Sequence, residues 1–217
     1  MAVVEQQSMS SVRRVAVIGA GPSGIAAVKH LADAGFEVVC NDLKDAVGGN
    51  WLYRPESAHS SVFETTHIIS SKTLSPYHDF PMPASCPDYP SHTQLAAYFQ
   101  SYAAHFGVTP RVRFGTDVMR AEPLAGDRWS LTVRDRDGER LETFDALTVA
   151  NGHHWRPRMP AYPGQFDGTL LHSHDDKRAA PFSGQRVLVI GGGNSACDVA
   201  VETARVSAHT HLSWRRG

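Results

Sequence analysis

One local pattern occurs twice in this chain: a short apolar run, a glycine-rich turn, then a helical spacing. The first copy passes from Val15-Ala16-Val17-Ile18 into Gly19-Ala20-Gly21-Pro22-Ser23-Gly24. The second passes from Val187-Leu188-Val189-Ile190 into Gly191-Gly192-Gly193-Asn194-Ser195-Ala196. A strand that must become a helix within a few residues has few options. The first glycine takes the tight turn, the second lets backbone approach a pyrophosphate, and the third lets helix and strand pack closely. The pyrophosphate then meets free N–H groups and the positive end of the helix dipole. Ala196 holds the third place in the second copy, which the fingerprint permits. Two such units predict an α/β chain that binds two dinucleotides, and the commonest reason to hold two is to pass electrons between them.

The residues after each turn extend the prediction. Residues 25–34 read as a helix that Gly35 ends, and residues 36–40 as a second strand. Asp42 then stands roughly 20 residues past the glycines, where a carboxylate accepts from ribose hydroxyls. Gly48-Gly49-Asn50-Trp51 is a loop whose backbone can come close to something flat or anionic. Residues 60–90 read as a long irregular segment, rich in proline, serine and aspartate, whose aromatics suit an ordered wall of a binding site. Ser91 is placed to cap a helix through Phe106, with Leu95, Tyr98, Phe99, Tyr102 and Phe106 as its core side. Strands are expected over 116–124, 128–135 and 139–144, with Asp137-Gly138 as the last hairpin turn, before the chain returns to the parallel sheet at 146–150. Pro157, Pro160, Pro163 and Gly164 mark a linker. The second unit then reads as a strand from Arg186, a helix over 194–205 and a strand over 208–213. Arg215 and Arg216 come next, where guanidinium suits the extra 2′-phosphate of NADP.

Composition removes several classes. The 217 residues are 41% hydrophobic and 20% charged, with a net charge of −1, which suits a globular chain and no nucleic-acid partner. No apolar run approaches the roughly 20 residues of a membrane helix. The start, Met1 to Arg14, lacks the apolar segment of a signal peptide, so a cytoplasmic location is expected. Cys40, Cys86 and Cys197 form no C-x-x-C pair, and Cys40 and Cys197 read as small core residues. The histidines at 153, 154, 172 and 174 lack the helical spacing of a metal site, so no metal is expected.

Two complete dinucleotide domains and a meander need more chain than this. The expected fold is therefore α/β, with two Rossmann-type dinucleotide-binding domains, an inserted β-meander and an incomplete second domain, in a fragment of something longer. Residues 187–190 and the helix after them would then lack part of their cover, unless a homodimer supplies it.

On these residues the chain resembles the N-terminal half of class B flavin-containing monooxygenases, relatives of the Baeyer–Villiger enzymes. Gly48-Gly49-Asn50-Trp51 is similar to the family's GG-x-W, Asp79-Phe80-Pro81-Met82-Pro83 to its DFPMP, and Gly152-His153-His154 to its GHH. Gly191-Gly192-Gly193-Asn194-Ser195 with Asp198 resembles its NADP motif, and Arg215-Arg216-Gly217 its TRRG end. Phe166-Asp167-Gly168, His172 and Lys177 match an interdomain fingerprint whose aromatic place is here Asp176. That departure leaves heteroatom and ketone oxygenation both open. Ile69, with Ser70 beside it, stands ten residues before Asp79, where many members place an active-site asparagine; either the oxygenation geometry differs, or a backbone group or His67 takes its part. Asp42 replaces the more common glutamate.

The resemblance implies FAD on residues 1–155 and the start of an NADPH domain on 156–217. Gly19, Gly21, Ser23, Gly24, Asp42, Gly49, Asn50 and Trp51 would serve FAD. Gly191, Gly193, Asn194, Ser195, Ala196 and Arg215 would serve NADP. Ser70, His172 and Lys177 are candidates for a lining or hinge role. The implied reaction moves one oxygen from O2 to a small nitrogen or sulfur nucleophile through a C4a-(hydro)peroxyflavin. An oxidase that releases H2O2, a Baeyer–Villiger enzyme and an inactive nucleotide-binding fragment are the alternatives.

Overall fold

The computed structural model describes residues 13–56 and 62–215. The polar start at 1–12, residues 57–61 with Ser60, and Arg216 and Gly217 lie outside the described residues. Contacts divide the chain into two compact units. One runs up to Val47 and again over Ser101–Asn151, and the other takes Gly48–Gln100 and Gly152 onward.

In the first unit the apolar runs become a parallel sheet. β1 (Arg14–Ile18) is followed by α1 (Pro22–Asp33) and β2 (Glu37–Asn41). β3 (Val112–Arg113) and β7 (Ala146–Val149) complete the order β3-β2-β1-β7, with every pairing parallel. Ile25 and Val28 are the buried side of α1. The helix stops where Gly35 takes φ +87° and the Phe36 N–H bonds back to the Leu31 carbonyl. A left-handed residue there is the usual helix stop, and glycine adopts it without a Cβ penalty.

The expected meander is present as β4 (Asp117–Leu124), β5 (Arg128–Asp135) and β6 (Gly138–Phe144), antiparallel in that order. Its hairpin tip falls one residue earlier than the Asp137-Gly138 spacing predicts. Asp135 pairs with Gly138, so Arg136-Asp137 makes the turn and Gly138, at φ +114°, is already paired. The meander is held to the parallel sheet by one core, in which Leu131, Val133 and Phe144 pack with Ala16 and Val39. The Arg14 guanidinium lies 4.5 Å from the Phe144 ring centroid. Glu142 accepts from Arg113 at 2.7 Å and from Arg140 at 2.9 Å. Burial alone would raise its pKa, but these two cations win and hold it below 4.5.

In the second unit the stretch before α2 (His92–His105) is irregular but tied down. Tyr98 Oη donates to the Phe80 carbonyl at 2.5 Å and accepts from the Tyr77 N–H at 2.8 Å. Lys72 Nζ donates to the carbonyls of Cys86 and Ala84. Ser91 and Gln94 form a reciprocal cap, with the Ser91 N–H on Gln94 Oε1 at 2.9 Å. Leu95, Tyr98 and Phe99 are buried as the helical period requires; from Ser101 on the helix belongs to the first unit, where Tyr102 is buried and Phe106 only half-buried. β8 (Arg186–Ile190), α3 (Asn194–Ala204) and β9 (His209–Ser213) complete the unit, with β8 and β9 as a two-stranded parallel sheet. Its expected lack of cover is visible: Leu188 is 61% and Ile190 51% exposed, and Val201 of α3 is 54% exposed. Cys197 corrects the sequence reading. It is exposed: among the described residues its side of α3 meets no second layer. Among the described residues no helix is long and apolar enough to cross a membrane.

Two outcomes test this packing. Leu131, with no exposed surface, should lose about 2–5 kcal/mol of unfolding free energy as Leu131→Ala in urea titrations, the range for a buried leucine; a loss well under that range would mean the meander is not anchored there. Glu142, with its lowered pKa, contributes stability that is full above pH 4.5 and fades as acid passes its folded value. The stability gap between the wild type and Glu142→Gln should therefore be wide at pH 7 and narrow as the pH falls below 4.5.

Candidate functional site

At the first glycine turn, β1 hands the chain to Gly19 at φ +96°, whose N–H donates to the Asn41 carbonyl at 2.8 Å. A Cβ on Gly19 would lie 2.5 Å from the Ala150 carbonyl oxygen, and one on Gly24 would run into the Gly19 carbonyl. These two close approaches bring the start of α1 against the carboxyl ends of the strands. Gly21 caps α1 with no side-chain hydrogen bond, and Pro22 sits in the first turn. The first-turn N–H groups are thereby left to an anion, with Ser23 exposed beside them.

Asp42 stands just past β2 and is 8% exposed. Its Oδ2 accepts from the Ala20 N–H at 2.5 Å and its Oδ1 from the Lys44 N–H at 2.7 Å. Burial raises its pKa above 3.8, opposed by those two N–H bonds and the Lys44 charge. A carboxylate has about four lone-pair sites, so two bonds leave capacity for ribose hydroxyls. The cradle and this spare acceptor capacity fit a dinucleotide such as FAD. The Ala20 N–H is a functional group that sequence reasoning missed, since a backbone donor carries no side-chain signal. Cys40 lies buried beneath the turn, where burial and the Asp42 charge push its thiol up to about 12 and keep it neutral.

The second glycine turn repeats the device. Gly191 sits at φ +144° and its N–H donates to the Ser213 carbonyl at 2.8 Å. A Cβ there would lie 3.3 Å from the Ala196 methyl, which is the close helix–strand packing that the third place of the fingerprint serves. Gly193 caps α3 without a side-chain bond, and Gly193, Asn194 and Ser195 are exposed. Trp214 follows Ser213 as Asp42 follows Asn41, and Arg215 comes next, exposed. The second turn thus carries no acid where the first has one, and a cation one residue on. That donor set fits a ribose bearing a phosphate.

Elsewhere in the second unit, Gly48 and Gly49 take φ +142° and +56° and lead into a 3-10 turn, Gly49–Trp51. Asn50 Nδ2 donates to the His153 carbonyl at 3.3 Å, and Trp51 is half-buried. Ser70 Oγ pairs with Ser75 Oγ at 2.7 Å on the surface, and Ile69 beside it is 75% exposed. His172 and Lys177 belong to one short segment, away from Ser70 in sequence. His172 is half-buried, whereas Lys177 is 7% exposed and its Nζ has no hydrogen-bond partner among the described residues. Burial lowers the Lys177 pKa, against the pull of Asp175 and Asp176. Asp176, 8% exposed, is pushed up to about 6 by burial, against the Arg178 N–H and Lys177. His174 is buried beside them. Its burial left no trace in the polar string His172–Lys177.

Comparison with known proteins matches this geometry. The rat protein named flavin-containing monooxygenase 5 (Rattus norvegicus) is 34% identical over 215 residues, 94% of this chain and 40% of its own length. The rabbit dimethylaniline monooxygenase (N-oxide-forming) 2 (Oryctolagus cuniculus) is also 34% identical, with 94% and 40% covered. The chain therefore spans about two-fifths of these relatives. Among solved structures, S-allyl-L-cysteine S-oxygenase from Allium sativum superposes with a TM-score of 0.88 at 28% identity, over 94% of this chain and 51% of that one. The profile of the flavin-binding monooxygenase-like family matches residues 12–217, and the chain belongs to that family.

Proposed function

We propose that this chain carries the FAD site and the opening of the NADPH site of a monooxygenase that transfers one oxygen atom from O2 to a small, soft nitrogen or sulfur nucleophile. The observation that carries the reading is the repeated glycine junction, one copy followed by a buried carboxylate and the other by an arginine. The heteroatom preference draws support from an N-oxide-forming relative and an S-oxygenase neighbour. Residues 1–155 are assigned to FAD and 156–217 to NADPH, in a cytoplasmic protein.

When bound, FAD accepts a hydride from NADPH and activates O2. The residues do the binding and placing. The N-terminus of α1, with Gly19, Gly21, Ser23 and Gly24, receives the FAD pyrophosphate, and Asp42 takes ribose hydroxyls. Gly49, Asn50 and Trp51 are assigned to the flavin. Gly191, Gly193, Asn194, Ser195 and Ala196 receive the NADPH pyrophosphate, and Arg215 its 2′-phosphate. Ser70, His172 and Lys177 are assigned to lining or hinge positions.

Ile69 favours a second reading. An apolar side chain cannot donate a hydrogen bond to reduced oxygen, which suits an NADPH oxidase that releases H2O2. The two are separated by coupling. The purified chain is expected to retain FAD and, joined to a complete NADPH site, to oxidise NADPH with oxygenated product from a tertiary amine or a thioether. H2O2 equal to the NADPH consumed with every substrate would establish the oxidase instead, and a chain that retains no flavin would overturn both.

Asp42→Ala should weaken FAD about tenfold or more in flavin-fluorescence titrations, as expected for lost hydrogen bonds to a charged group. Ser70→Ala should leave that affinity unchanged.

A further inference from the structure

Residues 156–171 are exposed throughout, and the chain then turns inward. His174, Asp176 and Lys177 are each more than nine-tenths buried. Two hydrogen bonds make the turn that seats them. The Asp175 N–H donates to the His172 carbonyl at 2.9 Å, and the His174 N–H donates to the ring atom Nδ1 of His172 at 3.0 Å. A ring nitrogen accepts only when it carries no proton, so the second bond requires Nδ1 of His172 to be unprotonated. The arrangement has the shape of an Asx turn, with imidazole in place of the asparagine oxygen.

We propose that His172 is a proton-sensitive cap: its protonation breaks the turn and releases the buried segment His174–Lys177. Imidazole is the side chain whose charge ordinarily changes between about pH 5 and 8.

The neighbours point the same way. His174 Nδ1 lies 2.8 Å from Asp175 Oδ1, and its Nε2 is buried with no partner among the described residues. His154 lies tilted against His153, with ring centroids 3.9 Å apart, and holds φ +65°. Burial, then the charges of His153 and His174, keep it below 6.5. Asp176 opposes them, because protonation near pH 6 eases its burial. Asp175, Lys177 and Arg178 on the segment, and Glu56 and Glu64 from the stretch packed on it, complete the charged surroundings. The segment carries two further features: the Lys177 carbonyl accepts the Glu64 N–H at 2.9 Å, and Asp176, Lys177, Leu171, Thr169, Glu56 and Phe182 wall a cavity of about 300 Å³. Loss of the cap would loosen both.

Amide hydrogen exchange of the full chain at pH 7.5 and 5.5 tests this, with rates corrected for intrinsic pH dependence and referred to the Leu131 amide in the other unit. In the wild type, protection of the His174 and Glu64 amides should fall about tenfold at pH 5.5, the scale of one lost hydrogen bond. His172→Asn offers an oxygen to the same N–H and does not titrate, so its protection should persist at both pH values. His172→Ala should lack it at both. Equal protection of the wild type at the two pH values, or the same acid loss in His172→Asn, overturns the proposal.

Discussion

The Gly19 carbonyl and the α-carbon of Gly24 lie so close that no side chain fits between them, and the first binding junction depends on that approach. With it, α1 begins directly after β1 and its uncapped N-terminus lies at the carboxyl ends of the parallel strands. Glycine inside a helix costs about 0.5–1 kcal/mol relative to alanine. Burial of Ile25 and Val28 against the sheet offsets this, at roughly 1.5–3 kcal/mol for each large apolar side chain. Asp42 depends on the same geometry. A buried carboxylate is unfavourable unless hydrogen-bonded, and the Ala20 N–H reaches it because the turn is tight.

The second junction shows that a shared backbone device need not carry shared chemistry. Gly19 and Gly191 donate to the last carbonyl of the neighbouring strand at the same 2.8 Å. The first strand leads into a carboxylate, and the second into Trp214 and Arg215. The backbone geometry is therefore alike at the two turns, and the residues one or two places past the strand differ in charge. The sheets differ as well. β1 and β2 are covered by α1 on one face and the meander on the other. Leu188 and Ile190 of β8 are largely exposed, although parallel strands ordinarily have both faces covered.

Local periodicity made most elements legible. Each strand and helix predicted around the two glycine turns lies within a residue or three of its observed bounds, and the meander appears where alternation places it. Tyr98 shows where that reading ran short. Its helical spacing marked it as core, but its bonds to Tyr77 and Phe80, which hold the irregular stretch, join residues about twenty apart. Cys197 shows the opposite error, since an early helical position predicted burial and none of the described residues covers it.

The residues alone determined the two strand–turn–helix junctions, the hairpins and the family, because turn sterics and side-chain period act over a few neighbours. Tertiary structure decided which polar groups leave water. His174, Asp176 and Lys177 read as a solvated string and are buried, while Asp42 gains its partner from Ala20 across the turn. Burial and hydrogen-bond partnership depend on segments that meet only after folding, and no short stretch of sequence contains them.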